Sequence, residues 1–160
     1  MNIRQAQSGD IPALLDLFFA VAAERTWLGT EPETFDRERR NAGYERAIAD
    51  VNRCVLVAER DGALLGSLYL APADTTGHEL GMFVAGGHRG GGIGRALMGA
   101  GIAWARERNS PRLELGVFPH NEAALGLYTS FGFTLVETLT SESTRASGET
   151  WDVIILEKVL

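Results

Sequence analysis

The sequence predicts one α/β (α+β) domain, a mixed sheet with helices on both faces. Three observations carry that prediction. Short β-branched runs alternate with segments of three- and four-residue apolar spacing, in the order strand, two helices, three strands, helix, strand, helix, two strands. A length of 160 residues suits a single domain, and no repeat, linker or low-complexity tract interrupts it. Hydrophobic residues make up 45% and charged residues 22%, a balance that buries a core without disulfides.

Asn2 to Gln7 alternates apolar and polar residues as a first strand. Asp10 caps a first helix, with Pro12 in its first turn and Ile11, Leu14, Leu15, Phe18, Val21 and Ala22 on one face. A loop from Thr26 to Pro32 follows. A more polar second helix begins at Pro32 and carries Phe35, Arg39, Tyr44, Ile48 and Val51. Arg53–Arg60 and Ala63–Ala71 read as a hairpin about Asp61-Gly62. A turn at Asp74-Thr75-Thr76-Gly77 leads to a strand from His78 to Ala85.

A glycine-rich run then opens into a helix whose stripe is Ile93, Leu97, Gly101 and Trp104, stopped by Asn109-Ser110-Pro111. Arg112–Phe118 is a strand, Asn121 starts a helix, and Gly132 stands where a C-terminal cap belongs. Phe133–Thr138 and Thr150–Lys158 close the chain as a pair, with Ser141–Gly148 as a polar loop between them.

The net charge of −6, with no run of five lysines or arginines, excludes a nucleic-acid backbone as a general partner. It suits a cationic acceptor such as an amine. The start Met1-Asn2-Ile3-Arg4-Gln5-Ala6 has no apolar core of a signal peptide, and no apolar stretch approaches the ~20 residues of a membrane span. The single cysteine, Cys54, lies in an apolar strand and reads as a small buried hydrophobe suited to a reducing, cytoplasmic setting. His78, His88 and His120 lack the close paired spacing of zinc ligands, so no metal is expected. Trp104 and Trp151 read as core.

The chemistry lies in Gly86-Gly87-His88-Arg89-Gly90-Gly91-Gly92-Ile93-Gly94. Residues without Cβ let the chain turn sharply and aim successive N–H groups at one point, and the helix that follows adds its positive end. Such a turn binds phosphate oxygens. The dinucleotide fingerprint fails, because the sixth position is Arg95 counted from Gly90 and Leu97 counted from Gly92. A Walker A loop fails for want of its lysine. Neither NAD nor ATP fits.

The pattern Arg/Gln-x-x-Gly-x-Gly/Ala does fit, as Arg89-Gly90-Gly91-Gly92-Ile93-Gly94. With the strand Glu79-Leu80-Gly81-Met82-Phe83-Val84 before it and Asn121 to Tyr128, then Phe131-Gly132-Phe133, after it, the chain resembles the GNAT acetyltransferase superfamily over nearly its whole length. Gly86 and Gly87 depart from the Pro and polar residue common there. The resemblance implies the acyl-CoA N-acyltransferase fold: a mixed, largely antiparallel seven-stranded sheet flanked by helices and splayed in the middle. It implies acetyl-CoA as co-substrate and a small-molecule or protein amine as acceptor, with no metal. Arg89, Gly90, Gly91, Gly92, Ile93, Gly94 and Arg95 then cradle the pyrophosphate. Met82, Phe83 and Val84 run beside the pantetheine arm, and Asn121 bonds it from the other side.

Tyr128 is the implied acid for the departing thiolate and Glu79 the implied general base, with a backbone N–H near Phe83 or Val84 facing the thioester oxygen. Trp27 and Glu31 either line the acceptor pocket or anchor their loop. A homodimer through the last two strands belongs to the same set of implications. The rival reading is a coenzyme A-binding sensor without catalysis, which keeping Tyr128 and Glu79 argues against.

Overall fold

The computed structural model describes residues 1–74 and 76–160; Thr75, in the expected turn, lies outside the described residues. Seven strands form one sheet: β1 (Asn2–Gln5), β2 (Cys54–Arg60), β3 (Ala63–Pro72), β4 (His78–Val84), β5 (Arg112–Val117), β6 (Thr134–Thr144) and β7 (Thr150–Val159). Four helices accompany them: α1 (Ile11–Ala22), α2 (Arg37–Ala49), α3 (Ile93–Glu107) and α4 (Glu122–Ser130). The strand order is β1-β2-β3-β4-β5-β7-β6, antiparallel throughout except between β4 and β5. The expected fold class is therefore observed.

Strand β2 shows why helices must cover both faces, since Cys54 to Ala58 are all buried. Val55 and Val57 join Leu14, Leu15, Tyr44 and Ala47 of α1 and α2 in one cluster. Cys54, Leu56 and Ala58 join Leu97, Met98 and Ile102 of α3 in the other, where Tyr128 of α4 also sits. A two-residue period sends alternate side chains into the two layers. Gly101 lets α3 lie close on the sheet, because a Cβ there would stand 2.9 Å from Leu68 Cδ2. Burial pushes the Cys54 thiol up to about 11, so it stays protonated and unreactive at neutral pH.

Several expected boundaries move. Pro32 opens only a short 3-10 turn ending at Thr34. Phe35 is extended, its ring 6.0 Å from that of Phe18, and α2 starts after Asp36, whose Oδ1 accepts the Arg39 N–H at 2.9 Å. Packing of Phe35 thus overrides the helical period. Val51 falls beyond α2 and is 76% exposed. Strand β6 runs on to Thr144 by absorbing a register irregularity, with Ser141 in the left-handed region and its N–H bonded to Asp152 Oδ1 at 2.8 Å. The polar loop thus shrinks to residues 145–149. Trp104 is core, whereas Trp151 is half-buried, edge-on to Phe118 and His120. Among the described residues no helix is long and apolar enough to cross a membrane.

A buried ion pair ties the ends of the chain together. Arg145, 4% exposed, lies 3.4 Å from Glu31, 5% exposed. The guanidinium also donates to Leu28 O at 2.9 Å and Arg25 O at 3.2 Å, and stacks 4.0 Å above the Trp151 ring. Glu31 accepts in turn from the Ala146 N–H at 2.6 Å. This clasp fixes the segment between α1 and α2 against the β6–β7 turn. Removing Arg145 leaves the buried Glu31 carboxylate with only the half-exposed Arg25, at 3.6 Å, so Arg145→Met should cost about 3 kcal/mol in urea unfolding. Leu68→Ala, at a fully buried site under α3, should cost about 3 kcal/mol by the same measurement.

Candidate functional site

The site begins where the sheet fails to close. Strands β4 and β5 pair only at His78–Leu113 and Glu79–Glu114, and they diverge from Leu80 onward. On the other side of β4 the Ala85 N–H bonds Leu65 O at 2.8 Å, which makes Val84 and Gly66 a non-hydrogen-bonded pair. By the two-residue period, the main-chain groups of Leu80, Met82 and Val84 point into the gap, and those of Gly81 and Phe83 point at β3. Of the two expected oxyanion donors, Phe83 is therefore engaged in the sheet and Val84 is the one facing the gap.

The glycine run turns the chain from β4 into α3. Gly92 caps the helix at φ +90°, a conformation that a side chain resists. The first helical bond is from the Ala96 N–H to Gly92 O (3.0 Å), so the N–H groups of Ile93, Gly94 and Arg95 remain outside the helical ladder. Gly94 matters for space: a Cβ would lie 3.1 Å from Leu127 Cδ2 and 3.5 Å from Met82 Cε. Together these features aim several donors and the positive end of α3 at one mouth of the gap.

That mouth belongs to a groove of about 330 Å³, the size of a small-ligand site. Met82, Phe83, Val84, Arg89, Gly90, Gly92, Ile93, Gly94, Arg95, Asn121 and Tyr128 all line it. Of the expected residues, Gly91 and Glu79 do not. Glu79 is exposed at the closed end of the splay. Its carboxyl is raised by partial burial and by Asp74 and Glu114. Asn121 Oδ1 caps α4 by accepting the Ala124 N–H at 3.2 Å. The Tyr128 side chain is 6% exposed, and burial pushes its phenol up to about 12.

Arg89 does not reach freely toward a phosphate. Its guanidinium forks onto Glu24, at 2.7 and 2.8 Å, and its Nε donates to Val84 O at 3.1 Å. Glu24 also accepts from Trp27 Nε1 at 2.7 Å, and its carboxyl is held low chiefly by the Arg89 hydrogen bonds. Glu24 thus binds the phosphate loop to the segment after α1. Arg95 reaches Ser130 Oγ at 3.2 Å and lies over the Phe131 ring.

Two further grooves meet this one. One, about 290 Å³, is lined by neutral residues including Trp27, Gly116, Phe118, Asn121 and Tyr128. The other, about 510 Å³, opens between α1, α2 and β4 and contains Arg39, Arg40, Tyr44 and Tyr69. Leu28 and Met82 line all three, which marks one junction. Trp27 lines two of them, whereas Glu31 is committed to Arg145 and anchors its loop. Glu24, Leu28 and the α2 arginines were not singled out as site groups from sequence; a loop leucine and helix-surface charges carry no local signal. No group of three or more metal-ligating side chains exists among the described residues. His78 lies against Ser110 Oγ at 2.9 Å, and His120 reaches Thr26 O at 2.7 Å while stacking on Phe118.

Comparison with known proteins agrees with this geometry. Residues 17–133 match the family described as Acetyltransferase (GNAT) family. A solved ribosomal-protein-alanine N-acetyltransferase from Brucella melitensis superposes with a TM-score of 0.90 at 33% identity, covering 100% of both chains. The peptidyl-lysine N-acetyltransferase YiaC of Escherichia coli is 30% identical over 150 residues, 89% of this chain and 90% of its own. The mycothiol acetyltransferase of Salinispora tropica is 38% identical over 79 residues, 48% of this chain, and the match spans only 22% of that longer protein. A glycine-cradled gap between diverging strands, on a sheet of this order and with these relatives, makes the chain a member of the GNAT acetyltransferase family.

Proposed function

We propose that the chain transfers the acetyl group of acetyl-CoA to an amine by direct attack in a ternary complex. The observation that carries this reading is the continuous wall from the helix α3 N-terminus, past the open edge of β4, to Tyr128. The pyrophosphate sits on the amides between Arg89 and Arg95, and Arg89 supports that loop through Glu24. The pantetheine arm extends the sheet along Met82 and Val84, whose peptide groups otherwise lack a strand partner on that side. The thioester then lies at the junction of Leu28 and Met82.

The amine nitrogen forms a bond to the carbonyl carbon as the carbon–sulfur bond breaks. Charge building on the carbonyl oxygen is met by a main-chain N–H of β4 that faces the gap. The departing thiolate takes the phenolic proton of Tyr128, which solvent restores. A phenol at about 12 keeps that proton throughout the neutral range. The same lack of water makes the nascent thiolate a stronger base than it is in bulk, which favours the transfer. Glu79 accepts the proton lost by the attacking amine. Because it lies outside the grooves, that proton reaches it through solvent.

Acetyl-CoA at about 100 times its dissociation constant should stabilise the chain by about 2.7 kcal/mol in thermal unfolding, with NAD and ATP giving none. Tyr128→Phe should lower kcat by about 10²–10⁴-fold and leave that stabilisation intact. Free-thiol release measured against pH should rise as Glu79 ionises, above the ordinary carboxylate range because its pKa is raised. Glu79→Gln should abolish that acidic limb; an unchanged limb removes Glu79 from the mechanism.

A further inference from the structure

The 510 Å³ groove is the only one of the three with charged residues from α2 on its wall, and those charges are mainly cationic. Arg39 and Arg40 leave the first turn of α2 toward it. Neither has a carboxylate within ion-pair distance among the described residues. The one acid on the wall, Asp36, is engaged in capping α2 through the Arg39 N–H. Arg40 is held in place rather than free: its guanidinium carbon stands 3.5 Å over the Phe18 ring. Phe18 in turn meets the Phe83 ring edge-on at 5.4 Å, at the inner end near the junction. The inner end of the groove, next to the proposed thioester, thus sets a cation against aromatic rings.

We propose that this groove binds the acceptor, and that the acceptor is a small amine that also carries a carboxylate and an apolar body: a free apolar α-amino acid. The inference rests on the acetyl-transfer reading. Arginine recognises a carboxylate with paired N–H donors, and a guanidinium stacked on an aromatic ring is already oriented for it. The rings of Phe18, Tyr44 and Phe83 accommodate the side chain. Two cations near the ammonium also disfavour its charged form, offsetting the opposite pull of the substrate's own carboxylate. The amine is thereby brought toward the neutral form that attacks. The neutral 290 Å³ groove offers a carboxylate no such partner.

The test follows free-thiol release with L-leucine and L-phenylalanine against L-leucinamide and L-phenylalaninamide, which differ only in lacking the carboxylate. The acids should exceed their amides in kcat/KM by about tenfold or more, the effect of one charge-assisted hydrogen bond. Arg39→Gln, at an exposed position, and Arg40→Gln should raise KM for the acids toward that of the amides and leave the amides unchanged. Arg40→Lys should restore part of the preference. Stabilisation by acetyl-CoA should be the same in every variant. Amides that equal the acids, or variants that slow both alike, overturn the proposal while leaving acetyl transfer standing. Stabilisation by acetyl-CoA without turnover of any of the four also overturns it. A chain that acetyl-CoA does not stabilise fails the acetyl-transfer reading itself.

Discussion

The structure depends on the short parallel contact between β4 and β5. Two residue pairs hold the halves of the sheet together, and past them the strands separate. A sheet that ended its ladder this way in solvent would leave peptide groups unpartnered at its centre, which is unfavourable unless something else bonds them. The gap is therefore both the weakest part of the backbone ladder and the part best prepared to receive an amide-rich chain. The helices cover each face without closing the gap, and the larger core continues across the sheet from Leu56 of β2 to Leu115 of β5 and Leu156 of β7.

Around that gap the chain assembles groups far apart in sequence by a few directional contacts. Glu24 gathers Arg89 and Trp27, which joins the loop before α3 to the segment after α1. The Arg89 side chain braces the loop through Glu24, where its own charge is matched. Positive potential at the cradle comes from the backbone and the end of α3 rather than from that side chain.

Much of this was legible in the residues. The glycine run, the strand before it and Asn121 with Tyr128 are local patterns, and all of them contribute to the wall of one groove. Helix α1 was legible because all six of its apolar positions are buried. Helix α2 was less so, since its start is decided by Phe35 packing on Phe18, a contact across the fold. Glu31 shows the limit clearly: a substrate contact and a loop anchor were equally open from its local sequence, and the arginine that makes it an anchor lies 114 residues later. The net charge is silent at this level, since an acidic total conceals a groove wall that carries Arg39 and Arg40. Periodicity encodes faces; it does not encode which ions meet across them.

The Arg145–Glu31 clasp has a consequence for how such a chain changes in evolution or in the laboratory. The segment bearing Trp27 and Leu28 is held by a turn at the far end of the polypeptide, through a pair with almost no contact with water. A transplanted version of that segment would arrive without its counterion, and an altered turn would release a segment that had not itself been altered. The groove wall at Trp27 and Leu28 is consequently set by two distant stretches that must vary together, and shuffling one of them alone breaks the unit.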